Sequence, residues 1–266
     1  VLFPFPNRIR AGHFHHAGRD FSLPLTGDNG TTSIHGFACR HAWRVLARGS
    51  DDNQAFVTGE FQAHRDAPET VQQWPSDHAI RLTIRLLQGR LRFEAEIHNP
   101  DSRTLPFGLG YHPYFATPFA GPKGQHGCKA RVPAAEYWEL DKCLPTGRRL
   151  PVDTSRDLND WVELDGRQLD DVLTGLPDRM PDADGLVEIG AMTGLAGDNS
   201  ATLRVRCDKA FRHVVVFTPG NRESFCIEPY TCLTDAANLE HRGVPSGWME
   251  LSPGASWTSI MEWTIG

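Results

Sequence analysis

The sequence predicts an all-β protein, built as an antiparallel β-sandwich or barrel in one domain. Several short segments alternate between apolar and polar residues with a period of two, which is the pattern of a strand with one buried face. The 266-residue chain also carries 25 glycines and 19 prolines, which interrupt it at short intervals. Long helical periodicity is absent, so these observations favour sheets joined by turns over helical bundles.

The clearest element is a β-hairpin over residues 79–98. Apolar residues alternate with polar ones on both sides of the turn Gln88-Gly89-Arg90. Alternation on both sides of a short glycine-containing turn is typical of two antiparallel strands with one buried face. The outward positions carry mostly arginine on the first strand and glutamate on the second, and such cross-strand pairs favour this register.

Further strands are predicted from shorter patterns. Residues 55–64 and 201–207 alternate, whereas the continuous β-branched run at 213–217 indicates a central strand. Near the end of the chain, one strand face carries Trp257, Ser259, Met261 and Trp263. Residues 117–200 are rich in proline, glycine and aspartate, and they are the hardest part of the chain to assign.

The composition limits the partners and the compartment. A net charge of −6 argues against nucleic acid as a partner, and no apolar run approaches the roughly 18–20 residues of a membrane helix. Six cysteines without paired spacing indicate reduced thiols in a cytoplasmic protein. No signal peptide pattern is present. Because the chain begins at Val1 within an apolar segment, we expect further residues upstream.

Two motifs far apart in the sequence carry the residues best suited to proton transfer. His112 lies in Gly-Leu-Gly-Tyr-His-Pro-Tyr-Phe, where Pro113 favours an extended conformation for the histidine. Glu228 ends the apolar run Phe-Cys-Ile-Glu, and a carboxylate there is costly to bury unless it is paired or functional. A positioned acid and a positioned base can move two protons on a neutral substrate.

Further positions are candidates for binding. Arg8 follows a proline-rich turn and can present its guanidinium to hydroxyls or carboxylates. Asp170 and Asp171 precede an apolar turn, and a carboxylate there can accept two sugar hydroxyls. His35 begins His-Gly-Phe-Ala-Cys-Arg-His, whose spacing matches no standard zinc signature. A metal interpretation would recruit His35, Cys39 and His41, with His13, His15 and His16.

Four motifs occur in one order. They are Pro-Phe-Pro-Asn-Arg-Ile-Arg, His-Gly-Phe-Ala, Phe-Gly-Leu-Gly-Tyr-His-Pro-Tyr-Phe, and Cys-Ile-Glu-Pro-Tyr-Thr with a later Ala-Ala-Asn-Leu. In this order they resemble the aldose 1-epimerase (galactose mutarotase-like) family, over roughly residues 4–240. The resemblance implies an antiparallel β-supersandwich of the galactose mutarotase-like type with a sugar on its concave face, no metal and no cofactor. Family members normally carry strands before the first motif, so a single domain over residues 1–266 is expected to lack its first strands.

The resemblance also implies roles for the candidate residues. Glu228 would be the general base and His112 the general acid, while Arg8 and His35 would bind sugar hydroxyls or the ring oxygen. An acid must carry its proton at neutral pH, so we expect nearby carboxylates to favour the charged form of His112.

The family pattern places a substrate-binding acid three residues before an apolar position. Asp170 matches that pattern, with Leu173 as the apolar residue, better than Asp171 does, although Asp171 remains an alternative. Galactose mutarotases tend to read Asn-His-Ser-Tyr-Phe where this chain has Gly-Tyr-His-Pro-Tyr-Phe. Galactose is therefore not assured as the substrate.

The predicted function is that of a mutarotase, which interconverts the α and β anomers of a hexose by acid/base ring opening and closure. One alternative is a hexose-6-phosphate mutarotase, for which Arg40, Arg44 and Arg65 are candidate phosphate ligands. Others are a non-catalytic sugar-binding protein and a metalloenzyme. The expected partner is a small-molecule sugar, with no nucleic acid and no membrane, and the expected assembly is a monomer or a weak homodimer.

Overall fold

The computed structural model of the protein confirms the all-β prediction. It describes residues 1–117, 119, 127–178, 180–194 and 201–266. Strands dominate these residues, and the only helices in the described ranges are short. None of those helices has the length and apolar character that crossing a membrane requires.

The elements are given in chain order. The first half contains β1 (Arg8–Arg10), β2 (His13–His16), β3 (Arg19–Ser22), β4 (Thr32–Ile34), β5 (Arg44–Ser50), β6 (Gln54–Gln62), α1 (Ala63–Asp66), a 3-10 turn (Pro68–Thr70), β7 (Ala79–Leu87), β8 (Arg90–His98), β9 (Leu105–Phe107), β10 (Phe115–Ala116) and β11 (Cys128–Arg131). The second half contains β12 (Glu136–Asp141), β13 (Leu144–Pro151), β14 (Val162–Glu163), β15 (Asp170–Thr174), β16 (Val187–Gly194), β17 (Thr202–Cys207), β18 (His213–Phe217), β19 (Ser224–Tyr230), α2 (Ala236–His241), β20 (Met249–Leu251) and β21 (Ser256–Ile265).

The chain forms two compact units. The first unit comprises Val1–Leu86, Phe93–Tyr111 and Tyr230–Ser259, and the second comprises Leu87–Arg92, His112–Pro229 and Ile260–Gly266. The prediction of a single domain stays a prediction.

In the first unit, β5, β6, β7 and β8 are successive neighbours in one sheet, and β1 with β4, β2 with β3 and β9 with β20 form smaller pairs. Its core is aromatic. Trp74 stacks on Phe5 with ring centroids 5.5 Å apart, and the fully buried ring of His78 packs edge-on against Phe3 at 5.3 Å. His78 lies between strands, so no alternation of apolar and polar residues marks it as a core residue in the sequence.

The hairpin predicted at residues 79–98 is confirmed as β7 and β8. Its turn uses Gly89 with a φ of 67°, a left-handed conformation that glycine adopts readily. The predicted cross-strand charge pairs also form, since Arg81 binds Glu96 at 2.9 Å and Arg85 binds Glu94 at 3.0 Å. Local alternation was therefore sufficient to set both the strands and their register.

The strand predicted at 55–64 ends two residues early. β6 stops at Gln62, and α1 begins at Ala63. The Asp66 carboxylate accepts the backbone N–H of Gln62 at 2.8 Å, and Asp77 accepts that of His64 at 2.9 Å. These side-chain acceptors replace a strand partner and turn the chain into the helix.

The second unit contains the sheet that positions the candidate site. Its six strands lie in the order β10, β19, β18, β15, β12 and β13. The β-branched run His213–Phe217 forms β18 between β19 and β15, so its predicted central position is confirmed. A second series of neighbours in this unit is β14, β11, β16 and β17, with residues 261–265 of β21 paired to β17.

The segment that was hardest to assign, residues 117–200, holds β11 to β16 in its described part. The strand predicted at 201–207 forms from Thr202, and the face predicted at Trp257 to Trp263 lies on β21.

Candidate active site

The pairing of two strands in the second unit brings His112 and Glu228 together. β10 and β19 run antiparallel, with Phe115 opposite Phe225. The same register, followed three residues back from Phe115 and three residues forward from Phe225, places His112 opposite Glu228. Side chains of directly opposed residues lie on the same face of a sheet, so the two groups face each other across the pair.

The two side chains are in contact and largely withdrawn from water. His112 Nδ1 lies 3.4 Å from Glu228 Oε1, and their side chains are 19% and 2% exposed. A buried carboxylate is expensive in folding free energy. The sequence predicted this cost for Glu228, and the structure gives the carboxylate a histidine as a close neighbour.

Aromatic rings surround the imidazole of His112. Tyr114 stacks on it with ring centroids 4.7 Å apart, and Phe217 meets it edge-on at 6.3 Å. Burial lowers the pKa of His112 to about 4, because a charged imidazole loses its hydration there. The expectation that nearby carboxylates favour the charged form is therefore wrong, and His112 is neutral at pH 7.

Cys226 is a third member of this cluster and was not predicted. It precedes Glu228 by two residues on β19, so both side chains lie on the same face of the strand. One ligand atom from each of Cys226, Glu228 and His112 lies within 4.8 Å of the others. Burial raises the pKa of the Cys226 thiol, and the negative charge of Glu228 adds to the effect. The period of two along β19 was the signal that would have found this residue.

Asp170 and Asp171 lie on opposite faces of β15. Asp170 is paired with Phe217, the residue whose ring contacts His112. Its Oδ2 also accepts a long hydrogen bond of 3.7 Å from the Cys143 thiol. Directly paired residues share a face, so Asp170 lies on the side of the sheet that carries Phe217.

Asp171 instead points to the other face and is held by an arginine. Its Oδ1 lies 2.7 Å from Arg156 Nε. This ion pair gives Asp171 a structural partner, and the preference for Asp170 stays a prediction.

Arg8 belongs to the first unit, on β1. Its guanidinium binds Asp28 through two nitrogens, at 2.7 and 3.0 Å, and donates to Asn7 Oδ1 at 2.9 Å. This hydrogen bonding lowers the pKa of the Asp28 carboxyl. Two parallel bonds fix the plane of the guanidinium, so Arg8 is pre-oriented rather than a loose surface side chain. Asp28 was not predicted from the sequence.

His35 lies next to Arg8's strand in the same unit and is held by Asn7. The backbone N–H of His35 donates to the Asn7 carbonyl at 2.8 Å. The backbone N–H of Asn7 donates to His35 Nδ1 at 3.2 Å. Since Nδ1 is an acceptor, the proton of the neutral ring is on Nε2, which makes that atom a hydrogen-bond donor.

The metal interpretation of the His35 motif does not hold in the described part of the chain. There, His112, Cys226 and Glu228 are the one group of three ligand types with atoms close enough to share an ion. His41 is instead bound to Glu69 at 2.9 Å and to the Phe37 carbonyl at 2.8 Å.

The predicted phosphate ligand Arg44 is already neutralised. Its guanidinium binds Glu60 and Asp66, each at 2.8 Å. An arginine between two carboxylates is poorly suited to attract a phosphate. Arg40 and Arg65 remain as candidate phosphate ligands for the hexose-6-phosphate alternative.

Comparisons with known proteins show the family of the chain. The family model described as aldose 1-epimerase matches residues 1–264. The chain belongs to the aldose 1-epimerase family. The curated relative YphB of Escherichia coli K12, an uncharacterized protein, is 26% identical over 263 residues, which is 98% of this chain and 81% of YphB. YihR from the same organism, also uncharacterized, is 26% identical over 117 residues, 43% of this chain and 34% of YihR.

Solved structures share the fold of this aldose 1-epimerase family member. A galactose mutarotase-like protein from Clostridium acetobutylicum superposes with a TM-score of 0.86 at 22% identity, covering 100% of this chain and 78% of that one. A galactose mutarotase related enzyme from Lactobacillus acidophilus gives a TM-score of 0.73 at 18% identity, covering 100% and 81%. At these identities the likeness is one of fold, and the predicted galactose mutarotase-like fold class is confirmed.

Proposed function

We propose that this protein is a mutarotase that interconverts the α and β anomers of a hexose. The observation that carries the proposal is the buried contact of 3.4 Å between His112 and Glu228 in a member of the aldose 1-epimerase family. An acid and a base in direct contact suit a reaction whose two reacting oxygens are bonded to the same carbon. Membership of the family supports an isomerase-type enzyme with a sugar substrate.

Ring opening needs one proton removed and one added. In our proposal, the Glu228 carboxylate takes the proton from the anomeric hydroxyl O1, and the ring oxygen O5 receives a proton from His112. The C1–O5 bond breaks as the C1–O1 bond becomes a carbonyl. Rotation about C1–C2 and closure on the other carbonyl face then give the other anomer.

A neutral imidazole can donate the proton on one ring nitrogen if its other ring nitrogen accepts a proton at the same time. Glu228 Oε1 lies beside Nδ1 of His112, at 3.4 Å. Starting from the tautomer with its proton on Nε2, the imidazole can accept at Nδ1 the proton that Glu228 took from O1 while Nε2 releases its own proton to O5. The imidazole changes tautomer and neither side chain ends with a changed charge, so burial does not oppose the step.

We assign substrate binding to Asp170, Arg8 and His35. Asp170 shares a sheet face with Phe217, and its carboxylate can accept sugar hydroxyls. Arg8 is oriented by Asp28, and His35 offers Nε2–H as a donor because Nδ1 is occupied by Asn7. Each of these three residues has the donor or acceptor type that a polyhydroxylated ligand requires.

Polarimetry on freshly dissolved sugars tests the proposal. The protein is added to α-D-glucose, α-D-galactose and α-D-glucose 6-phosphate, and the decay of optical rotation is compared with buffer alone. We expect faster decay with at least one free hexose. Acceleration with the phosphate ester alone would favour the alternative substrate. Saturable sugar binding without acceleration by any sugar would contradict the proposal and favour a binding protein.

A further inference from the structure

The cluster of His112, Cys226 and Glu228 has a composition that sugar chemistry does not require. A mutarotase needs an acid and a base, whereas a thiol contributes nothing to proton transfer between O1 and O5 in the mechanism above. A nitrogen, a sulfur and a carboxylate oxygen within 4.8 Å of one another are, however, the three ligand types that zinc sites use.

We propose that His112, Cys226 and Glu228 form a binding site for a thiophilic divalent cation, of which Zn²⁺ is the best match. The ion would be an inhibitor that shares residues with the reaction rather than a cofactor. This regulatory part rests on the proposed function, whereas the binding site itself does not.

The geometry is close to what a tetrahedral ion needs. Ligand atoms around Zn²⁺ stand roughly 3.5 Å apart, because the metal–ligand bonds are about 2.0–2.3 Å long. The His112–Glu228 distance of 3.4 Å already has this value. The largest separation in the cluster, 4.8 Å at most, requires side-chain adjustment of about 1 Å to complete a tetrahedron.

Burial favours a tight site with one open position. Cys226 and Glu228 are 0% and 1% exposed, so both ligands are held by packing, whereas His112 is partly exposed and leaves an approach from solvent. Three protein ligands leave a fourth tetrahedral position for water. Binding would deprotonate the Cys226 thiol and release its proton to the buffer.

The consequence for the reaction follows from which atoms the ion would occupy. A bound Zn²⁺ takes lone pairs from the Glu228 carboxylate and from a ring nitrogen of His112. Those lone pairs are the ones that accept protons in the proposed ring opening. The cation and the sugar should therefore exclude each other.

Titration with Zn²⁺ alone, by isothermal calorimetry under reducing conditions, tests the site. We expect one equivalent to bind wild-type protein. Cys226→Ser and Glu228→Gln should each weaken binding by at least about 100-fold, since even residues that only orient a ligand change metal affinity 10–100-fold. Cys39→Ser and Cys143→Ser remove thiols that are exposed or half-buried elsewhere and should leave the affinity unchanged.

Co²⁺ provides a second readout that does not depend on affinity. A thiolate-to-metal charge-transfer band should appear with wild-type protein and be absent from Cys226→Ser, whose fold is checked by circular dichroism. Failure of wild-type protein to bind Zn²⁺, or wild-type affinity and an intact band in Cys226→Ser, would overturn the site.

Inhibition is measured separately. Zn²⁺ at saturating concentration should abolish mutarotation, and a chelator should restore it. Full activity of the zinc-loaded protein would refute the inhibitory role while leaving the site intact. If the protein accelerates mutarotation of no sugar, the calorimetry still decides whether the metal site exists.

Discussion

A carboxylate with almost no exposed surface lowers the stability of a fold unless its neighbours compensate for lost hydration. Glu228 is 1% exposed and lies on a strand of otherwise apolar or small side chains. An amide or an apolar residue would be easier to bury. The proposed proton transfer would account for its presence, so the predictions at the scale of single residues concern this group and its neighbours.

The His112–Glu228 contact predicts that the two side chains act as a unit. Each of Glu228→Gln and His112→Gln should lower kcat by about 10²–10⁴-fold, since each removes a proton-transfer step. The double variant should be no slower than the slower single variant, because a relay interrupted once is already inactive. Initial rates of rotation change give the four values. If the loss of rate in the double variant equalled the product of the two single losses, the residues would work independently, which would contradict the relay.

The opposite faces of β15 give a matched pair of variants. Asp170→Asn should lower kcat/KM by about tenfold or more, the value of a hydrogen bond to a charged acceptor. Asp171→Asn should cost about 1 kcal/mol in the free energy of unfolding, because it weakens the bond to Arg156. Its kcat/KM should stay within about twofold of wild type. If Asp171→Asn lowered kcat/KM and Asp170→Asn did not, Asp171 would be the residue that faces the substrate.

At this scale the sequence identified residues but not their partners. His112 and Glu228 stand out because a proline and an apolar run make each unusual in its own segment. Asp28, which orients Arg8, carries no local signal of this kind, and Cys226 is marked only by its spacing of two residues from Glu228. The charge state of His112 was also beyond the sequence, since it depends on rings contributed by residues such as Phe217.

At the scale of elements, the loop after β4 depends on one glycine. Gly36 has a φ of +66°, and a Cβ on it would overlap the carbonyl oxygen of Phe3. That oxygen accepts the backbone N–H groups of Phe37 and Ala38 at 2.9 and 3.0 Å. The motif His-Gly-Phe-Ala therefore has a structural requirement for glycine directly after His35.

Alanine substitutions at Gly36 and Gly18 separate the cost of the close approach to Phe3 from the cost of the left-handed conformation. Gly36→Ala should lower the free energy of unfolding by about 3 kcal/mol or more, combining left-handed strain with displacement of the backbone. Gly18→Ala has a similar φ of +76° but nothing within 4 Å of the added methyl group, so only the strain of about 1 kcal/mol applies. Urea unfolding of both variants measures the difference. Equal losses would show that the close approach to Phe3 is unimportant.

Strands were predictable where alternation is long and the partner is near in sequence. The hairpin β7–β8 meets both conditions. β15 meets neither, because its five residues pair with β12 and β18, which are distant along the chain. The register of β15 determines which face of the sheet Asp170 and Asp171 each occupy, and it depends on pairing with both neighbouring strands.

At the scale of the whole molecule, buried histidines make stability sensitive to acid. Burial lowers the pKa values of His78 and His213 from 6.5 to about 4. The unfolded chain binds these protons first as the pH falls. The contribution of these neutral histidines to the free energy of unfolding is therefore complete above about pH 6.5 and is lost progressively between that value and pH 4.

Each of these two histidines should cost about 2 kcal/mol of unfolding free energy between pH 7 and pH 5. His78→Phe, which keeps a ring in the aromatic core, should reduce that pH dependence by about 2 kcal/mol, whatever its own stability. His64→Gln, at an exposed position, should leave it unchanged. The measurement is urea unfolding at several pH values. An unaltered pH dependence in His78→Phe would show that His78 is not a source of it.

The central claim is that a buried carboxylate on β19 removes the anomeric proton of a hexose. It is tested most directly by polarimetry with wild type, Glu228→Gln and Glu223→Gln, the last altering an exposed carboxylate just before the same strand. We predict acceleration by wild type and Glu223→Gln, and a loss of at least about 100-fold in Glu228→Gln. Wild-type acceleration by a correctly folded Glu228→Gln protein would contradict the account.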